Sequence, residues 1–317
     1  MRSPRSLLTA ATPADAHRRV ADPNSDLSRP RGAHADPGHI DLAPMIVVRS
    51  GRNVRPSAPG EVRRPVVGYL VAAEREDAVP ADQPTILATS MGFNRAHDPW
   101  RPSPIFRYAF DLAGGPSRPK LCFLTTGTGD RQSSIDGFYA AFADGGVDTS
   151  HLSLFEKPNI PDVSAHLRGQ DVIWVDRGSL ANLLAVWRMH ALDKVLRDCW
   201  QGGVVLGGES AGSLCWHTGG TTDSFGEVRP LTDGLGFLPY SNAVHYGERH
   251  ELFQRCIASG VLPDGYATDA GAGLHYEGTD LVAAVADRKH TGAYRVTRRS
   301  ADGGVSEEPL EVTYLKW

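Results

Sequence analysis

The sequence predicts an α/β fold: a three-layer sandwich with a mostly parallel central sheet and a small antiparallel C-terminal extension. From about residue 83 onward, short aliphatic runs alternate with helical stretches, the pattern of parallel strands joined by crossover helices. Most of these runs stop at glycine or another turn residue. One of them, VVLGG, breaks directly into Glu209-Ser210-Ala211-Gly212, which reads as a strand turning sharply into a helix with a serine at the bend.

Taken in order, TILATSM reads as a strand, PIFRYAFDLAG as a helix closed by glycine, and KLCFLTTG as a strand opening into the loop TGTGD. SIDGFYAAFADGG is helical with a glycine stop, SHLSLFE is a strand, and DVIWVDRG is a continuous apolar strand ending in a glycine turn. SLANLLAVWRMHALDKVLRDCWQGG carries apolar residues at helical spacing, over one long helix or two abutting ones. After VVLGG and its serine, LHYEG, DLVAAVAD, GAYRVTR and EPLEVTYL are strand-like pieces separated by turn residues; they form the antiparallel extension. No internal repeat is visible. In sheets of this kind ligands gather at the carboxyl ends of the strands.

Residues 1–82 differ from the rest. Segments such as RSPRS, DLSRPRGAHADPGH and VRPSAPGEVRRP hold too little apolar surface to offset chain entropy, so a disordered or loosely docked N-terminal extension is expected. The α/β domain is then 83–317.

The bulk composition excludes several classes. The chain has 317 residues, 41% hydrophobic and 22% charged, with a formal net charge of -4. Nothing in that balance favours nucleic acid or an anionic membrane as a partner. No apolar run approaches the roughly 20 residues that span a bilayer, and MRSPRSLLTAATPADAHRR lacks the apolar core of a secretory leader; a cytoplasmic location is expected. Cys122, Cys199, Cys215 and Cys256 are scattered, with no C-x-x-C spacing, and read as buried free thiols. HYGERHE does not have the spacing of a helical zinc pair and TTGTGD lacks the Lys-Ser/Thr of a phosphate loop. No metal and no cofactor are expected.

Serine becomes a nucleophile only when a base takes its proton and a third group orients that base. Candidates follow downstream of Ser210: Asp223 in the polar turn GGTTDSFGE, His245 in YSNAVHYGE, and Asp269 in YATDAGAGL. The pentapeptide G-x-S-x-G alone is weak; its position at the end of a strand strengthens it.

GGESAGSLCW, GGTTDSFG followed by GLGFLP, NAVHY, and LPDGYATDAGAGLHYEG together resemble the S51 serine peptidases, the family of aspartyl dipeptidase (peptidase E) and cyanophycinase. The likeness runs from about Thr85 to the C-terminus. It implies an α/β sandwich similar to class I glutamine amidotransferases, with serine replacing their cysteine. It also implies Ser210 as nucleophile, His245 as general base and Asp223 as the orienting acid. Some members place that acid in the segment matching Asp269-Ala270-Gly271, where the family commonly shows Asp-Asp-Gly or Pro-Glu-Gly. The backbone N–H groups of Gly178 and Ala211 would stabilise the oxyanion. Relatives carry Gly-Gly-Gly-Asn where this chain has Asp176-Arg177-Gly178-Ser179, and Asp176 and Arg177 are expected to pair with each other on the rim. Thr126 or Asp130 is expected to line the pocket.

The resemblance implies a short peptide as partner, cleaved at an aspartyl or β-aspartyl bond, with Arg177, Arg131 or Arg249 facing the substrate carboxylate; a homodimer is the assembly left open. Two other readings stand beside it. An α/β-hydrolase-type esterase also uses G-x-S-x-G, although no HGGG-like oxyanion segment lies upstream. A non-catalytic homologue is the other, motivated by the Asp176-Arg177 departure and by Ala270.

Overall fold

The computed structural model of the protein describes residues 81–300 and 303–316; all but the last two residues of the expected N-terminal extension lie outside them. The chain begins with β1 (Thr85–Thr89), in which all five residues are buried. Two short strands, β2 (Phe93–Asn94) and β3 (Arg101–Pro102), pair as a hairpin. There follow α1 (Ile105–Leu112), β4 (Lys120–Leu124), α2 (Gln132–Ala141), β5 (Asp148–Leu152), α3 (Val163–Arg168) and β6 (Val172–Val175). Ser179 then caps α4 (Leu180–Met189) by accepting from the Asn182 N–H, a partner for one of the orphan donors of the first turn. The long apolar stretch is two helices: Ala191 adopts a left-handed conformation (φ 52°) before α5 (Leu192–Gln201) begins. β7 (Val205–Glu209) and the single turn α6 (Ala211–Leu214) complete this half.

β1, β7, β6, β4 and β5 lie side by side in that order, all parallel. Their side chains alternate between two faces, as the twofold repeat of a strand requires. Leu87, Phe123 and Trp174 pack against α1 and α2, with Phe106 against Trp174 and Phe138 stacked on Phe123. Ile86, Leu124, Val175 and Leu206 face the other way, toward α4, α5 and α6.

The second half is less simple than its sequence suggests. β8 (His217–Thr222), β9 (Arg229–Leu231), β10 (Leu238–Val244), α7 (Tyr246–Ala258) and β11 (Gly265–Thr268) precede β12 (Ala272–Glu277), β13 (Asp280–Ala286), β14 (Ala293–Arg298), β15 (Val305–Pro309) and β16 (Val312–Tyr314). The expected C-terminal strands do pair antiparallel, β12 with β13 and β14 with β15, but they divide between two sheets instead of forming one small extension, which corrects that expectation. β12 runs antiparallel along the free edge of β1, with β13 and β16 beyond it, giving a mixed sheet of eight strands. β14 and β15 join a second, six-stranded sheet in the order β15-β14-β11-β10-β8-β9, whose centre, β8, β10 and β11, is parallel. The physical reason lies in β1. Its residues are wholly apolar or buried, so its outer edge needs a partner strand rather than solvent. α7 covers the second sheet through Phe253, Cys256 and Ile257. The four cysteines form no disulfide with one another and are buried. Among the described residues no helix is long and apolar enough to cross a membrane.

Candidate active site

The candidate residues follow the carboxyl ends of parallel strands: Asp176 follows β6, Ser210 follows β7, Asp223 follows β8, His245 follows β10 and Asp269 follows β11. Ser210 has φ 56° and ψ -109°, a region a residue with a side chain adopts only when its surroundings force it, at a cost of about 1–3 kcal/mol. What forces it is the closeness of α6 to β6. A Cβ on Gly212 would sit 2.2 Å from the carbonyl oxygen of Val175, and one on Gly208 would sit 2.5 Å from the carbonyl oxygen of Gly212. Glycine on both sides of the serine is therefore a packing requirement of the bend. The carbonyl oxygen of Ser210 accepts from the N–H groups of Ser213 and Leu214, which starts the helical turn.

The dipeptide Thr89-Ser90, at the end of β1, holds both Ser210 and His245 by their backbones. Thr89 O accepts from Ser210 N at 3.0 Å, and Ser90 Oγ accepts from His245 N at 3.3 Å. Ser90 Oγ is itself anchored to Thr268 Oγ1 at 2.7 Å. His245, at the start of α7, is left-handed (φ 53°, ψ 50°). Among the described residues its ring makes no hydrogen bond to Ser210 Oγ. Burial lowers the His245 pKa first, and the Arg249 guanidinium lowers it further, against the opposing charges of Glu248, Glu209 and Asp223.

Asp223 and Asp269 have different surroundings. Asp223 Oδ2 lies 3.4 Å from Arg249 Nη2, and Arg249 Nη1 donates to Thr221 O at 2.6 Å. Asp269 Oδ2 instead accepts from Gly292 N at 3.0 Å and Tyr294 Oη at 3.2 Å.

On the far side of Ser210 is the loop after β6. Gly178 has φ +124°, and a Cβ there would sit 2.1 Å from Gly127 O; the next residue donates from Ser179 N to that same oxygen at 2.7 Å. Only glycine fits. Among the described residues the N–H groups of Gly178 and Ala211 have no backbone acceptor, which leaves them available to a ligand oxygen.

Five expectations change. Asp176 does not pair with Arg177 on the rim: it is fully buried, and its Oδ1 accepts from Arg95 Nη2 at 2.5 Å. The same Arg95 nitrogen reaches Glu209 Oε1. Arg177 is exposed. Thr126 does not line a pocket, because it is fully buried and its Oγ1 accepts from Trp187 Nε1 at 3.0 Å. Asp130 ties its own loop, accepting from Thr125 Oγ1 and from the N–H groups of Leu154 and Phe155. Arg249 is buried on Thr221 and Asp223, and Arg131 precedes α2, away from the cavity.

A cavity of about 1020 Å³ opens beside the elbow, with Ser90, Glu209 and Arg177 in its wall, and with Arg101, Arg288 and Lys316 supplying further cations. Sequence reasoning missed Arg95, Ser90 and the burial of Asp176. The available sign was the acid at Asp176, on a strand end beside another acid at Glu209, a pairing that demands a cation; the cation lies 81 residues from Asp176, beyond any local pattern.

Strained serine at a strand-helix bend, nearby histidine and unengaged backbone donors together define a hydrolase-like site on an α/β frame. The comparisons with known proteins agree in class. Residues 87–283 match the model of peptidase family S51, and the chain belongs to that family. It is 41% identical over 201 residues to the uncharacterized peptidase YgaJ of Bacillus subtilis (strain 168), covering 62% of this chain and 86% of that relative. Among solved structures, a peptidase from an acI-B1 Actinobacterium superposes with a TM-score of 0.53 at 16% identity, over 72% of this chain and 94% of that one; that likeness speaks for the fold alone.

Proposed function

We propose that this S51 family member is a serine peptidase that hydrolyses short peptides, with aspartyl or β-aspartyl bonds as the preferred class. The observation that carries the reading is the Thr89-Ser90 dipeptide, which holds the backbones of Ser210 and His245 together beside two unengaged N–H groups. Ser210 Oγ attacks the peptide carbonyl while His245 takes its proton. The carbonyl oxygen, now negative, is held by the N–H groups of Gly178 and Ala211. His245 returns the proton to the leaving amine, and water repeats the sequence on the acyl-enzyme. Removal of one oxyanion donor from such a site costs about 3–4 kcal/mol of transition-state stabilisation.

Asp223 is the orienting acid in this proposal, supported by its place among the charges that act on His245; Arg249 fixes it in turn. Burial keeps the imidazole neutral, as a base must be. The preference for an acidic residue is supported by the excess of cations around the cavity, where Arg177, Arg101, Arg288 and Lys316 face Glu209 and Asp287. The finer fold assignment, a sandwich of the class I glutamine amidotransferase type with serine for cysteine, belongs to the same proposal and rests on the β7-α6 elbow.

The test is a panel of Asp-X, β-aspartyl and neutral dipeptides run beside p-nitrophenyl esters. Peptide turnover with an acidic preference is the expected result. Turnover of esters alone moves the protein to the esterases, and turnover of nothing moves it to the non-catalytic homologues.

A further inference from the structure

The two N–H groups assigned to the oxyanion site belong to separate pieces of chain. Gly178 lies in the loop after β6, two residues beyond Asp176, and Ala211 lies at the β7-α6 elbow, two residues beyond Glu209. Both acids are buried, and both accept from one guanidinium, that of Arg95. Arg95 comes from a third place, the turn of the β2-β3 hairpin. Its guanidinium carbon lies 4.6 Å from the ring centre of Trp100 and 5.3 Å from that of Phe93, contacts that favour a cation on an aromatic face. Its side chain is only 12% exposed.

We propose that Arg95 is a positioning residue: it clamps the Asp176 loop to the Glu209-Ser210 elbow and so fixes the separation of the Gly178 and Ala211 N–H groups. The inference rests on the proposed acyl-transfer function and adds to it the device that keeps the oxyanion site at its working width. Without the cation, two buried carboxylates on neighbouring strand ends are left facing each other, and their mutual repulsion pushes the loop and the elbow apart. Breaking a buried ion cluster by removing one member is more disruptive than never having built it.

The clamp has a proton signature. Asp176 is pushed up to about 7, by burial first and by the Glu209 charge second, against the Arg95 charge and the Arg177 N–H. Arg95 faces it from the β2-β3 hairpin and Glu209 from β7; the other charged groups of the cavity wall are Arg101, Arg177, Asp287, Arg288, Lys316 and, when protonated, His97. Losing the Arg95 cation raises the Asp176 pKa further. Below that pKa a proton on Asp176 takes over part of the cation's role; above it the repulsion is complete. Removal of Arg95 therefore adds an alkaline loss of function.

The experiment measures the second-order rate at which a fluorophosphonate modifies Ser210 in the full-length chain from pH 5 to 9. Arg95→Met keeps an apolar stem between Phe93 and Trp100. It is expected to be slowed about 10-fold near pH 6 and about 100-fold near pH 9, on the scale set by loss of an oxyanion donor. Arg95→Lys is expected to recover part of the rate, because it restores a charge without the two-pronged grip. Arg95→Met combined with Asp176→Asn is expected to lose the alkaline fall while staying slower than the wild type at every pH. If Arg95→Met does not fold, that double variant carries the test against the wild type. Wild-type rates and pH profile in the variants overturn the inference, as does a slowing that is the same at all pH and unrelieved by Asp176→Asn. Failure of the wild-type protein itself to be labelled overturns the proposed function, and the clamp's role with it.

Discussion

Ser210 was the most legible residue in the sequence because its neighbours are dictated by sterics: Gly208 and Gly212 have no room for a Cβ beside Val175 O and Gly212 O. Gly178 is sterically constrained in the same way, and the oxyanion role proposed for it rests on the family resemblance of its loop. Its requirement makes a sharp prediction. Gly178→Ala combines an unfavourable φ of +124° with a Cβ 2.1 Å from Gly127 O, so peptide turnover should drop at least about 100-fold through displacement of a donor; an unchanged kcat would remove Gly178 from the oxyanion site. For the acid, Asp223→Asn should impair turnover severely and Asp269→Asn only mildly, since Asp269 is committed to Gly292 and Tyr294. Kinetics of the two variants that rank in the reverse order would transfer the role to Asp269. His245 as the proposed base predicts a pH profile. Burial and Arg249 lower the His245 pKa, so the base becomes protonated only below the ordinary histidine value of about 6.5. The acid limb of kcat/KM should have its midpoint below about 6.5, and a midpoint above 7 would place another group in the role.

At the scale of elements, the first half of the domain and the C-terminal strands β12, β13, β14 and β16 could be read, whereas β8, β10 and α7 between them could not. β1, β4, β6 and β7 each carry aliphatic or aromatic residues and are buried except at Lys120, and α3 and α5 stop at Gly169 and Gly202, so local pattern and tertiary position agree. β8 (HTGGTT) and β10 (LPYSNAV) are polar or glycine-rich, and their burial is supplied by α7 on one side and the main core on the other. Nothing in their own composition announces a strand. α7 was equally hidden: HYGERHELFQRCIA opens on charges, and only Tyr246, Arg249, Phe253, Cys256 and Ile257 are buried, a stripe that emerges once the preceding strand is known. The elbow itself is an element-level prediction. Gly212→Ala places a methyl group 2.2 Å from Val175 O, so β6 and α6 must separate. The melting temperature should fall by several degrees, since overpacking costs about 1–3 kcal/mol; a melting temperature equal to that of the wild type would show that the packing of the bend is not close.

For the whole molecule, folding stability should decline with acid for a reason located in its interior. His217 is fully buried, donates from Nδ1 to Ser213 O at 3.0 Å, and is lowered by that burial to about 3. Its unfolded value is about 6.5. The unfolded chain therefore takes a proton that the folded one refuses, so the stability contributed by neutral His217 is complete above about 6.5 and is lost as pH falls toward 3. The loss is about 1.4 kcal/mol per pH unit while this group alone is in play. Asp176 moves in the opposite sense. Its raised pKa means the folded state holds a proton that the unfolded state has released, which adds stability as pH falls through about 7. Between about pH 6.5 and 4 these two contributions nearly offset each other; the lowered pKa values of His151, His166, His245 and His275 all act with His217 and tip the net slope toward neutral pH. Chemical denaturation at pH 7 and pH 4.5 should show the protein weaker at pH 4.5, and greater stability there would mean that Asp176 outweighs the histidines.

The claim on which the functional account turns is that the Ser210 hydroxyl is the nucleophile, activated by His245. The most direct measurement is peptide mapping after exposure of the full-length chain to a fluorophosphonate, with Ser210→Ala and His245→Ala beside the wild type and folding checked by melting temperature. The predicted result is one adduct, on the peptide containing Ser210, absent in Ser210→Ala and slowed by orders of magnitude in His245→Ala, with all three proteins folded. An adduct that persists in Ser210→Ala, or a folded wild-type protein that takes no label at all, would contradict the account.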